Sequence, residues 1–153
     1  MAGNVYSVTV SIAAVTTAQT LIQIKAGATT PLELLRAEVS QTTTETSDTA
    51  EFVIRRKTVA ATVTSATPLL YLPSGPVADA VGGTAATGTD GSAEGTDSDI
   101  LYQRGFNVLN GHTWLPTPEG RIIVGSAGII ALISNITVSS ATLVAHVVFR
   151  EFG

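Results

Sequence analysis

The sequence predicts an all-β fold, an antiparallel β-sandwich of jelly-roll-like build, on three observations. First, runs of β-branched and apolar residues alternate with polar ones at a period of two, as in Tyr6-Ser7-Val8-Thr9-Val10-Ser11-Ile12. Second, about eight such runs recur at intervals of roughly ten residues, bounded by turn-forming residues. Third, no stretch keeps a helical period of apolar positions, although Ala13 to Gln19 has room for one turn.

The elements follow in chain order. Tyr6, Val8, Val10 and Ile12 share one face of the first strand, with Ser7, Thr9 and Ser11 on the other. Ile22, Ile24 and Ala26 then oppose Gln23 and Lys25. Pro31 to Gln41 alternates Leu35, Ala37 and Val39 against Arg36, Glu38 and Ser40, with Pro31 at the start, where its missing N–H costs little. Glu51 to Ala61 carries Phe52 and Ile54 ahead of Arg55-Arg56-Lys57. A Thr/Ser/Asp run, Thr42 to Thr49, joins these two strands. Pro73 to Asp99 is rich in Gly, Thr and Asp, holds almost nothing apolar, and reads as one long irregular loop. Further strands are expected at Ile100 to Leu109, Thr113-Trp114, Arg121 to Val124, Gly128 to Ser134 and Ala141 to Phe152. In the last of these, Leu143, Ala145, Val147 and Phe149 share a face. A single domain, residues 1–153, accommodates all of this.

Composition bounds the function. Charged residues are 13% of the chain, against roughly a quarter in an average soluble domain. Hydrophobic residues are 44% and aromatics 5%, with 23 Thr, 20 Ala and 16 Val. Such a chain is too apolar to be disordered as a whole. Eight Lys+Arg against twelve Asp+Glu, net charge −4, argue against nucleic-acid binding by phosphate neutralisation. Without cysteine there is no disulfide, thiolate metal site or Cys nucleophile. No signal-peptide pattern opens the chain, and its apolar runs fall far short of the ~20 residues of a spanning helix, so no membrane partner is expected.

Motifs for chemistry are scarce. His112 follows the turn dipeptide Asn110-Gly111, and His146 lies on the polar face of the last strand; their spacing matches no metal-ligand pattern. Gly125-Ser126-Ala127-Gly128 looks like a nucleophile elbow but joins two strands and opens no helix, so it reads as a β-turn. The acidic stretch Asp90 to Asp99 invites a calcium hypothesis, yet it lacks the EF-hand order of ligands and reads better as a solvated loop. Arg55-Arg56-Lys57 is the only basic cluster, either a solvated edge or a contact for an acidic protein surface. Trp114, beside Pro116 and Pro118, is read as a core plug first and as a subunit contact second. No catalytic residues, cofactor or metal are assigned, and no enzyme activity is expected.

Several segments resemble a family of small tailed-phage virion proteins. These are Tyr6 to Ser11, Val15 to Ile24, Pro31-Leu32-Glu33-Leu34-Leu35 with Glu38 to Thr42, Phe106 to Trp114 with Pro116-Thr117-Pro118-Glu119, and Leu143 to Gly153. The members of that family with a known role are head decoration, or cement, proteins. The resemblance implies a β-sandwich or jelly-roll-like protomer that forms homotrimers and binds the major capsid protein on the outside of the shell. The protein would be made in the host cytoplasm and reside on the virion. Tyr6, Val8, Arg55, Arg56, Asp90, Asp97 and Trp114 are the candidate interface residues. The alternative is a jelly-roll module of a phage fibre or tail that recognises a carbohydrate or host receptor. That alternative needs exposed aromatics, for which only Trp114, Tyr71, Tyr102 and Tyr6 are available.

Overall fold

The computed structural model describes residues 4–42, 48–71, 87–136 and 141–152. Two antiparallel six-stranded sheets pack face to face. The first contains β1 (Val5–Val15), β3 (Leu32–Gln41), β6 (Leu69–Leu70), β9 (His112–Trp114), β10 (Ile122–Val124) and β12 (Ala141–Glu151). Its order is β10-β3-β12-β1-β6, and β9 shares the outer side of β3 with β10. The second contains β2 (Gln19–Lys25), β4 (Thr49–Val59), β5 (Thr62–Ser65), β7 (Gly88–Ala93), β8 (Thr96–Asn107) and β11 (Ile129–Ile136), in the order β5-β7-β2-β11-β4-β8. The helical content among the described residues is one 3-10 turn, Pro118–Gly120.

Alternation places the core between the sheets. Tyr6, Val8 and Ile12 of β1 face inward with Leu143, Ala145, Val147 and Phe149 of β12, all nearly inaccessible. Tyr6 stacks on Phe149 with ring centroids 5.7 Å apart. From the other sheet come Ile22, Ile24, Phe52, Ile54, Ile130 and Leu132, joined by the register pairs Ile22↔Leu132↔Ile54. A void of about 10 Å³ among Ile24, Leu34, Ile54 and Val147 is too small for a ligand.

The second sheet is built from one folded ribbon. Strands β4 and β8 pair from Thr49↔Asn107 to Val59↔Thr96, and the same two chain directions continue as β5 and β7, paired from Thr62↔Ala93 to Ser65↔Gly88. Only residues 60–61 and 94–95 intervene, and there the ribbon turns against β2, Ala61 bonding to Gln23 and Glu94 to Thr20. One limb then flanks β11 through β4, and the other flanks β2 through β7. This corrects the single irregular loop expected over Pro73 to Asp99. Residues 88–93 and 96–99 are strand, whereas 73–86 lie outside the described residues. Likewise 43–47 of the Thr42 to Thr49 run lie outside them.

The corner depends on glycine. Gly95 sits at φ +68°, and a Cβ there would lie 2.4 Å from the Val59 carbonyl oxygen and 2.5 Å from that of Ala60. Left-handed backbone alone costs an L-residue roughly 1–2 kcal/mol, and the clash adds to it. Gly95→Ala is therefore expected to lower stability by more than about 1 kcal/mol in urea unfolding. An unchanged midpoint would mean that the corner tolerates a side chain.

Candidate functional site

Two regions of the surface differ in kind. The ribbon corner packs on the outer face of the second sheet at Thr20, Gln23 and Lys57, whereas on the outer face of the first sheet Thr9, Ser11, Arg36 and Ser40 are exposed.

Under the corner lies an ionic clasp. The Lys57 side chain on β4 is 0% exposed, and its Nζ stands 2.7 Å from Asp97 Oδ1 and 3.7 Å from Glu94 Oε2. It also donates to the Glu94 backbone carbonyl. Arg55 Nη1 meets the other Asp97 oxygen at 3.2 Å. Glu94 is held in turn by the Thr20 backbone N–H at 2.9 Å and by the Thr20 hydroxyl. Beside them the Gln23 amide, fully buried, accepts from the Ala61 N–H at 2.8 Å. Arg56 reaches Asp99 at 3.9 Å, and Gln19 donates to Asp90. The basic cluster, read from sequence as a solvated edge or a contact for an acidic protein surface, and the acidic stretch, read as a solvated loop, thus pair with each other.

This pairing accounts for four of the candidate interface residues: Arg55, Arg56, Asp90 and Asp97 all have partners within the protomer. Three others are buried. Tyr6 and Val8 are 1% and 4% exposed in the inter-sheet core, and Trp114 is 7% exposed beside Tyr102. Among the described residues, no group of three or more His, Asp or Glu side chains is placed to hold a metal ion.

The histidines part company. His112 follows a turn in which the Asn110 N–H donates to the Asn107 carbonyl at 3.0 Å. Its ring lies 4.9 Å from Phe52 and is stacked on Tyr102, whose hydroxyl is 3.1 Å from Nε2. Burial first, and Arg104 second, hold its pKa below the ordinary 6.5. The unfolded chain therefore takes up this proton before the native ring does, so stability is full above pH 6.5 and falls as pH drops below it. The fall ends once the native imidazole also protonates. Comparing urea midpoints at neutral and mildly acid pH should show a smaller acid loss in His112→Gln than in the wild type; equal losses would contradict the assignment.

His146 instead lies on the open face of the first sheet, its Nδ1 sharing a 2.7 Å hydrogen bond with the Thr9 hydroxyl. The rows around it read Ser11-Val144-Ser40, Thr9-His146-Glu38-Thr113 and Ser7-Val148-Arg36 across β1, β12, β3 and β9. Arg36 and Glu38 pair with each other. At the two edges of this sheet stand exposed apolar side chains: Leu69 (71%) and Tyr71 (57%) at β6, Leu115 (72%) and Ile123 (56%) at β9 and β10. Of these, the sequence singled out Tyr71 as an available aromatic, but an isolated Leu or Ile carries no sign of exposure. An open hollow of about 370 Å³ elsewhere, beside Thr49, Glu51, Gly105 and Asn135, has its one carboxylate engaged by Asn135 at 3.0 Å.

No family model matches the chain, and no curated protein matches it.

Proposed function

We propose that this chain is a structural virion protein, a capsid decoration or cement protein that acts as a homotrimer on the outside of the major capsid protein shell. The observation that carries the reading is the open face of the first sheet. A lone domain is expected to put Lys and Glu on such a face. Here it presents mainly hydroxyls, Val144 and His146, and its few charges pair among themselves. Leu69 and Tyr71 stand exposed at one edge of the sheet, and Leu115 and Ile123 at the other, so the two edges of one protomer carry different apolar groups. Different patches that meet head to tail make a heterologous contact, which closes into a ring when the rotation allows. Obligate interfaces of this kind are more apolar than transient ones. A carbohydrate-recognition head draws less support, since Tyr6 and Trp114 are buried and Tyr71 is the strongly exposed aromatic among the described residues.

The test charges the surface without touching the core. Thr9→Arg with Val144→Arg on the open face, and Ile123→Glu at the edge, should leave urea unfolding of the protomer within about 0.5 kcal/mol of wild type. The first pair should abolish co-sedimentation with capsids, and the edge variant should shift the trimer to monomer in light scattering. Full capsid binding and an intact trimer in both would remove this face and edge from the proposal.

A further inference from the structure

We propose that Lys57 and Asp97 condense after folding into an intramolecular amide, an isopeptide bond that fastens the ribbon corner covalently. The reading is independent of the virion role.

Three placements carry it. Lys57 is the buried cation among the described residues, its side chain 0% exposed. Asp97 is its direct cross-strand partner in the β4–β8 register, with Oδ1 2.7 Å from Nζ. Glu94, whose Oε2 is 3.7 Å from Nζ, is fixed from the other side by Thr20, and so stands as a proton carrier beside the reacting pair. Asp97 is the electrophile because it is the nearer carboxyl and because Arg55 Nη1 lies 3.2 Å from its second oxygen. That guanidinium is where negative charge builds as the carbonyl carbon becomes tetrahedral. The fold supplies orientation that two free groups in water lack. Condensation also removes a desolvated ion pair and leaves a neutral amide, which is far cheaper to bury.

The step balances without a co-reactant. The ammonium releases a proton, which Glu94 passes to Asp97 Oδ1, and the Nζ lone pair attacks the carbonyl carbon of the resulting neutral carboxyl group. The Nζ–Cγ bond forms and the Cγ–Oδ1 bond breaks. Oδ1 leaves as water carrying two protons that began on Nζ, relayed through Glu94, which ends as it started. Nothing is oxidised or reduced. In a chain without cysteine, this chemistry supplies the covalent brace that a disulfide gives elsewhere, tying β4 to β8 and restricting the unfolded chain between residues 57 and 97.

Intact-mass spectrometry of the denatured full-length protein tests it. The wild type should be lighter than its sequence by one water; trypsin should release residues 57–104 as one peptide, uncleaved after Lys57 and one water light, and chymotrypsin, cutting at Tyr71, should leave the Lys57 and Asp97 ends of that peptide joined. Lys57→Arg and Asp97→Ala should both have their full sequence masses, and freshly purified Glu94→Gln should be mostly uncondensed. A succinimide at Asp90-Gly91 also loses water but leaves the chain cleavable after Lys57 and its chymotryptic pieces separate, so a loss mapping there counts against the proposal. A wild-type protein at full sequence mass, cleaved normally after Lys57, overturns it, whether or not any variant folds. A Glu94→Gln protein as fully condensed as wild type overturns the role given to Glu94.

Discussion

Phe52→Ala is expected to cost about 3–5 kcal/mol, the range for truncating a fully buried aromatic, and to lower the thermal midpoint by on the order of 10 °C. Phe52 is 0% exposed on the inner face of β4 and makes edge contacts with Tyr102 at 6.0 Å and His112 at 4.9 Å. It therefore joins the second sheet to β9 of the first, at the end of the sandwich where Trp114 and Phe106 also pack. Alanine leaves a cavity that a two-sheet core closes poorly, because strands held by ladders on both sides cannot move in singly. The variant should also weaken the acid dependence assigned to His112, whose ring loses much of its cover. Thermal and urea unfolding measure the first effect, and urea midpoints across pH the second. A loss under about 1 kcal/mol would show that the sheets do not meet at Phe52.

The second large effect is Lys57→Met, expected to cost about 3 kcal/mol, near the low end for breaking a buried ion pair. The low end applies because the carboxylates are partly wet: the Asp97 and Glu94 side chains are 28% and 39% exposed. Methionine fills similar volume, so the loss comes from the charges left facing each other and from the unpaired Glu94 carbonyl. Where the amide joins the two strands, the lost cross-link adds to this figure. Urea unfolding at neutral pH is the measurement, and a variant as stable as wild type would contradict the clasp. Hydrogen exchange gives the location: amides of β5 and β7 should lose protection before those of β12.

How far the sequence disclosed all this depends on which interaction places each residue. Period-two alternation marked β1, β3 and β12 because one face of each meets an apolar core, as Leu143, Ala145, Val147 and Phe149 do. The same logic failed for β7. Gly88-Thr89-Asp90-Gly91-Ser92-Ala93 has no apolar stripe, and its place is set by backbone pairing with β2 and β5 and by close approach. A Cβ on Gly88 would lie 2.3 Å from the Thr64 carbonyl oxygen, so what read as loop glycine is a packing requirement. The clasp was hidden for a different reason. Lys57 and Asp97 become neighbours only through the register of a ribbon whose second limb read as irregular. Tyr6, Val8 and Trp114 were ambiguous because core and interface favour the same side chains; burial separates the two and puts these in the core. The scarcity of charge remains the compositional feature that fits an open, weakly charged sheet face.

Light scattering of the purified protein, alone and with purified capsids, tests the proposed role most directly. The account predicts a trimer in isolation that moves quantitatively onto the capsid. A monomer without capsid affinity would contradict it.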